Sequence, residues 1–272
     1  MLSPTYWLCP DVSAHYSIND NTAIHKDYAC AISIKNRNVS IPEGLTIDKW
    51  NFTKKDNYRF LVSSSFKLIA SNQKIPNVVM KSRLTPSLIE INSPFNNLEL
   101  IGNDLSFASL IFYNSLTLRC SSFLIDDVLY IFCGKSGSGK TCVLSNAHKK
   151  YNTHIQLTSD DHLTLKTEDD HIKISTPYWD DVNIKHTGVN SKAKKVKIFF
   201  LDRNAPKIIA EKNAMEAFLC LAKNCVLFAS SKEATEKIID LCPDLLKVSS
   251  VFYTPPLNCD ELLNFISGGC NG

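Results

Sequence analysis

The stretch VLYIFCGKSGSGKTCVLSNAHKK, residues 128–150, decides how the rest of the chain is read. Its first six residues are apolar, aromatic or β-branched and predict a strand, while residues 140–149 predict a helix. Between them Gly134, Lys135, Ser136, Gly137, Ser138, Gly139, Lys140 and Thr141 satisfy GxxxxGK[ST] at every position. A loop of this kind curls its backbone N–H groups around phosphate oxygens, which demands positive φ angles and leaves little room for side chains. The helix that follows adds the partial positive charge of its N-terminus. Lys140 is placed to reach the β- and γ-phosphates, and the Thr141 hydroxyl to enter a Mg²⁺ shell. The stretch therefore implies a nucleoside triphosphate and Mg²⁺ as ligands. Lys135, an extra charge within the loop, reads either as a solvated side chain or as an added phosphate contact.

Upstream, residues 121–125 and 128–133 form two apolar runs joined by Asp126-Asp127, the pattern of a tight hairpin whose second strand feeds the loop. Residues 105–118, LSFASLIFYNSLTL, are apolar around most of a helical wheel and predict a buried helix. Before them, strand-like alternation in 28–34, 58–69 and 88–91 gives a β-rich N-terminal region, 1–104, suited to binding a substrate. Downstream, 105–272 reads as a catalytic domain of mixed α/β (α+β) order. Its strands are predicted at 153–158, 196–201 and 225–229, with a hairpin of 163–166 and 171–175. Its later helices are predicted at 214–222 and 232–246, followed by a last amphipathic segment at 260–266.

Thirty Lys and Arg against 27 Asp and Glu leave a net charge of +3, too near balance to imply a nucleic-acid or membrane partner. No apolar run approaches a membrane span and the N-terminus lacks a signal-peptide pattern, so a cytoplasmic protein is expected. The ten cysteines form no CxxC pair and no zinc-finger spacing, and they read as small buried hydrophobes. Cys133 and Cys142, flanking the loop, are read the same way, with redox sensitivity as the alternative. The basic run Lys192, Lys194, Lys195 and Lys197 reads as a solvated edge that discourages strand pairing.

A phosphoryl-transferring P-loop protein needs a second carboxylate for the metal and a group to accept a proton from the attacking hydroxyl. Two predicted strands end in carboxylates: HIQLTSDD, closing on Asp160 and Asp161, and KIFFLD, closing on Asp202. The second is the ordinary pattern of an NTPase. The first, taken with GKSGSGKT and the helix between, resembles the HPr kinase/phosphorylase family, related to phosphoenolpyruvate carboxykinase and including kinases that modify ribosomally made peptides. Thr176-Pro177-Tyr178-Trp179 and the IFFL strand strengthen that resemblance, which spans about residues 116–202.

The resemblance implies an HPr-kinase-like catalytic domain that uses ATP and Mg²⁺ to phosphorylate a Ser or Thr hydroxyl of a peptide, small protein or metabolite. It makes Asp160 the catalytic base and Asp161 a holder of Mg²⁺ or its waters, and by analogy it allows a homo-oligomer. Consecutive strand residues face opposite ways, so both aspartates serve one site only if the strand ends at Asp160. Where relatives carry Leu-His-x-Ser, with the His supporting the catalytic Asp, this chain has Leu118-Arg119-Cys120-Ser121. Arg119 there would steady a carboxylate or the transferring phosphoryl group, and would depress the pKa of the Asp it touches. The family's metal glutamate is not visible; Asp180 and Asp181 lie in its region, and Asp181 is taken as the candidate ligand. His148 and His162 are assigned no role. Two other readings stay open: a non-kinase ATPase or nucleotide switch that uses Asp202, and a nucleotide-binding scaffold without catalysis.

Overall fold

The computed structural model describes residues 5–9, 12–17, 30–36, 52–55, 58–63, 66–67, 74–75, 78–93, 98–176, 191–202, 210–226, 232–254 and 259–268. The chain falls into two compact units, Met1–Tyr113 with Leu227–Lys237, and Asn114–Val226 with Ile238–Gly272.

In the first unit the strands are β1 (Thr5–Cys9), β2 (Val12–Ser17), β3 (Cys30–Asn36), β4 (Phe52–Lys55), β5 (Tyr58–Ser63), β6 (Phe66–Lys67), β7 (Lys74–Ile75), β8 (Val78–Leu84) and β9 (Leu88–Ser93). Seven of them form one sheet in the order β1-β2-β3-β9-β8-β5-β4, and β6 pairs with β7. Helix α1 (Leu98–Tyr113) follows, with Leu105, Ala108 and Leu110 buried. The helix expected over 105–118 thus starts seven residues early and stops five early. Asn114 takes a positive φ of 52° that ends the helix, and Leu116 and Leu118 are buried in the sheet that follows rather than on a helix.

The second unit is built on β10 (Leu116–Ile125), β11 (Val128–Gly134), α2 (Lys140–Tyr151), β12 (Gln156–Ser159), β13 (His162–Thr167), β14 (Ile172–Ser175), β15 (Ser191–Ala193), β16 (Lys195–Leu201) and β17 (Ala210–Glu211), then α3 (Ala214–Asn224), the part of α4 (Lys232–Lys247) from Ile238 on, β18 (Ser249–Thr254) and α5 (Cys259–Gly268). The sheet order is β15-β14-β13-β10-β11-β16-β18-β17, with β12 also on β10. Strands β11, β16 and β18 are mutually parallel, and the β10–β11 pair is antiparallel. The mixed α/β class is the one expected. So is the hairpin: Ile125 pairs with Val128 across Asp126-Asp127, with Asp126 at φ 52°.

Other expectations shift. Residues 153–154 lie in a 3-10 turn (Asn152–His154), not a strand, because α2 runs on to Tyr151 and Asn152 closes it at φ 46°. Cys225 makes only an isolated bridge to Leu118, and the rest of the strand expected at 225–229 lies largely outside the described residues. The short, partly polar β18 gives little periodic signal, yet it pairs with β16 along six residues. The basic run is not one edge: Lys192 sits on edge strand β15, but Lys195 and Lys197 belong to interior strand β16. Alternation around its buried Val196 and Ile198 lets that strand's polar start carry them, Lys197 Nζ lying 5.7 Å from the centre of the Tyr130 ring.

The core that fixes the P-loop helix is aromatic. Phe123 stacks on Tyr130 at 5.1 Å, Phe132 on Phe199 at 5.3 Å and Phe199 on Phe252 at 5.1 Å, a row crossing β10, β11, β16 and β18. Val143, Leu144 and Ala147 of α2 and Leu262, Leu263 and Ile266 of α5 share this cluster. Side chains three and four apart on each helix make that stripe, which is why the two helices lie on the ring face of the sheet.

Candidate functional site

The glycine loop leaves the end of β11 and enters α2. Gly134 pairs with Leu201 on β16 at such close range that a Cβ on it would lie 2.8 Å from the Leu201 carbonyl oxygen and 2.6 Å from Ser138 Oγ. Only glycine fits there. Gly137 and Gly139 have φ of 75° and 96°, the left-handed region in which a side chain is strained. Gly139 is also the N-cap of α2, its carbonyl accepting from the Val143 amide at 3.0 Å. Lys140 Nζ turns back over the loop, donating to the carbonyl oxygens of Gly134 (2.9 Å) and Lys135 (3.1 Å). Burial holds its pKa below the ordinary lysine value, and the charge of Arg119 adds to that, partly opposed by Cys133 and Asp161. Thr141 is exposed in the first turn of α2.

The loop opens on a cleft of about 710 Å³, lined in part by Arg119, Lys135, Ser136, Ser138, Asp202, Lys223 and Tyr253. That volume lies in the range of small-molecule sites. Ser138 Oγ is buried against the loop with no hydrogen-bond partner among the described residues. Together with the left-handed backbone at Gly137 and Gly139 and the Lys140 ammonium, it gives the loop the donors and the curl that a phosphate chain needs. For Mg²⁺, the exposed Thr141 hydroxyl is an oxygen donor of the kind this ion takes when substrate phosphates and waters fill most of its shell. Among the described residues no cluster of three His, Cys, Asp or Glu side chains forms a metal site by itself.

The paired aspartates lie at a break in the sheet. Strand β12 ends at Ser159 and β13 begins at His162, both on the same edge of β10, so Asp160 and Asp161 bend away from the pleat. The strand therefore ends one residue before Asp160, and the opposite-facing alternation of a regular strand does not apply to the pair. The break is fastened by the Cys120 amide, which donates to the Asp161 carbonyl at 2.8 Å, and by Ser159 Oγ, which donates to the His162 carbonyl at 2.5 Å. Ser121 Oγ donates to the Asp160 carbonyl at 3.0 Å and to its Oδ1 at 2.8 Å, orienting that carboxylate.

Arg119 meets Asp161 rather than Asp160: its Nε lies 3.5 Å from Asp161 Oδ1. On the other oxygen, His162 Nδ1 lies 2.9 Å from Asp161 Oδ2. Burial pushes the Asp161 carboxyl up, but the His162 hydrogen bond and charge, followed by Arg119, outweigh it and hold the pKa below the ordinary value. The depression expected from Arg119 thus falls on Asp161. His162, assigned nothing from sequence, is a member of this cluster. The β10–β13 register sets it directly opposite Arg119, so a histidine stands across the strand from the place where the resemblance looks for one. Only that cross-strand register, not sequence spacing, reveals it.

On the other flank of β11, Asp202 follows the last residue of β16 and its amide donates to the Thr254 carbonyl at 3.1 Å. The side chain lines the cleft beside the loop. Asp180, Asp181 and the 177–179 part of the Thr-Pro-aromatic segment lie outside the described residues. His148 is an exposed residue late in α2.

The sequence matches no protein-family model and no curated protein. Among solved structures, the chain is similar to the Hpr(Ser) kinase/phosphatase from Coxiella burnetii, at 13% identity and a TM-score of 0.33, covering 57% of this chain and 99% of that one. That is a distant, fold-level likeness. No helix among the described residues is long and apolar enough to cross a membrane.

Proposed function

We propose that the chain is an ATP- and Mg²⁺-dependent phosphotransferase acting on a Ser or Thr hydroxyl of a peptide, small protein or metabolite. What supports this reading is a complete phosphate loop together with a strand break that carries two aspartates, the link between them being Arg119, which lines the cleft at the loop and pairs with Asp161. When bound, ATP would supply the γ-phosphoryl group and Mg²⁺ would offset the charge of its phosphates. Loop amides, Ser138 Oγ and Lys140 hold the phosphates. Thr141, with Asp161 or Asp202, offers oxygen ligands to the metal. Asp160, oriented by Ser121, takes the proton of the attacking hydroxyl as the new P–O bond forms and ADP leaves. Arg119, ion-paired to Asp161 and within electrostatic reach of Lys140, stabilises charge on the group in transfer. The β-rich N-terminal region serves to recognise the acceptor, and the protein works in the cytoplasm.

A second reading rests on Asp202. It ends the parallel strand next to the loop strand and lines the cleft, the position from which a metal carboxylate serves an ATPase that drives a conformational change. The deciding experiment is transfer from γ-labelled ATP, with Mg²⁺, into Ser-containing peptides and free serine, comparing wild type with Asp160→Asn, Asp202→Asn and Lys140→Ala. Acceptor labelling that disappears with Asp160→Asn and Lys140→Ala supports the kinase. Hydrolysis without a labelled acceptor, indifferent to Asp160→Asn and abolished by Asp202→Asn, supports the ATPase. Nucleotide binding with neither outcome, across a broad acceptor panel, supports a scaffold.

A further inference from the structure

The seven cysteines between Cys120 and Cys259 divide by environment. Cys120, Cys133, Cys225 and Cys242 are buried; burial pushes the Cys133 thiol up to about 12, and a hydrogen bond with Cys242, followed by burial, raises Cys225. These are the packing cysteines expected from sequence. Cys142 departs from that expectation, being exposed on the first turn of α2 directly after Thr141. The Cys259 thiol, half-buried at the start of α5, donates to Cys142 Sγ with the two sulfurs 3.0 Å apart. A disulfide needs about 2.03–2.05 Å, so roughly 1 Å of approach separates the contact from a bond.

The position of this pair matters more than its proximity. Helices α2 and α5 run in the same direction along their contact. Their far ends are held by Lys150 Nζ to Asn264 Oδ1 (2.8 Å) and by Tyr151 OH to the Leu263 carbonyl (3.0 Å) and Ser267 Oγ (2.8 Å). The cysteines sit at the near end, Cys142 in the same helical turn as Lys140 and Thr141 and Cys259 at the start of α5.

We propose that Cys142 and Cys259 are a reversible disulfide site, oxidised by a hydroperoxide and reduced by a dithiol, that clamps the P-loop end of α2 to α5. Cys142, the exposed sulfur, takes one oxygen from the hydroperoxide and becomes a sulfenic acid, releasing the alcohol, or water when the oxidant is hydrogen peroxide. The Cys259 sulfur then attacks Cys142, the S–O bond breaks, and the hydroxyl leaves as water with the Cys259 proton. Two thiols and one hydroperoxide thus give one disulfide, one alcohol and one water. Transient bonds of this kind are the sort found in reducing compartments. Closing the pair shifts the turn that carries Lys140 and Thr141, and phosphate positioning tolerates such shifts poorly, so the oxidised chain binds nucleotide more weakly by on the order of tenfold. The disulfide does not depend on the function proposed above; its effect on nucleotide rests on the P-loop reading.

The test uses the full chain, reduced and then exposed to hydrogen peroxide, with free thiols alkylated and peptides mapped by mass spectrometry. A Cys142–Cys259 cross-link that forms ahead of any other, disappears with dithiothreitol and is absent from Cys142→Ser and Cys259→Ser is the expected result. Peroxide that leaves both thiols alkylatable, drives Cys142 to sulfinic acid without a cross-link, or links Cys142 to other cysteines equally would overturn it. Titration of a fluorescent ATP analogue then compares the oxidised and reduced forms. Equal affinities would overturn the clamp's action on the loop. Failure of the reduced wild type to bind the analogue would count against the P-loop function, while the mapping still decides the disulfide.

Discussion

On one flank of β11 lies β16, parallel to it, with Asp202 following its last residue and lining the cleft beside the glycine loop. On the other flank lies β10, antiparallel, and beyond it a broken strand that holds Asp160 on Ser121 and Asp161 between Arg119 and His162. The first arrangement sets one carboxylate at the end of a parallel strand beside the loop. The second spends several partners on fixing two carboxylates, and fixed orientation is what proton transfer and charge stabilisation require. One loop is thus flanked by two different kinds of acidic site, and chemistry that depends on one need not depend on the other.

The sharpest way to break that comparison is to remove each carboxylate in turn. With Asp160 as base, Asp160→Asn lowers kcat for acceptor phosphorylation by about 10²–10⁴ while leaving the ATP Kd within error, as read by single-turnover transfer and equilibrium binding. Asp202→Asn in the same assays weakens the Mg²⁺ dependence first; the reverse ranking would move the chemistry to the β16 flank.

A next test addresses the cradle that both flanks share. Gly134→Ala pushes a methyl group against the Leu201 carbonyl and Ser138 Oγ, costing about 1–3 kcal/mol in denaturant unfolding and abolishing nucleotide binding. A variant that binds ATP normally would show that the loop does not need this close approach to β16.

The pH dependence of binding follows from Lys140, whose folded pKa lies below 10.5. The ammonium is fully charged below that lowered value and is lost as pH rises through it. ATP affinity therefore falls on the alkaline side, before a free lysine would titrate. In the same window the unliganded fold gains stability, because the unfolded chain still binds the proton. Calorimetry in buffers of different ionisation enthalpy reads the accompanying proton uptake.

The smallest effect is expected from Arg119→Ala. An ion pair this exposed contributes about 0–1 kcal/mol, so thermal stability barely changes. The pKa values of Asp161 and Lys140 both rise, however, since Arg119 lowers each of them. An NMR titration of Asp161 that does not move would remove Arg119 from the site.

Much of this was legible in the residues. The phosphate loop is local: glycines that permit its φ angles, a lysine and a threonine at fixed offsets, a strand before and a helix after are all written consecutively, so sequence alone determined the loop and the mixed α/β class. The hairpin at Asp126-Asp127 is local for the same reason. What the tertiary structure decided depends on register between segments far apart in the chain. Residues 116–118 look helical until β13 and the sheet core claim them. Lys195 and Lys197 look like an edge until β16 is flanked on both sides. His162 meets Asp161, Arg119 chooses Asp161 over Asp160, and Cys142 finds Cys259 across 117 residues only because the strands and helices pack as they do. Sequence spacing specifies backbone geometry over a few residues. Which side chains converge from distant segments is fixed by the burial of the aromatic row and by the ladder of hydrogen bonds that aligns its strands.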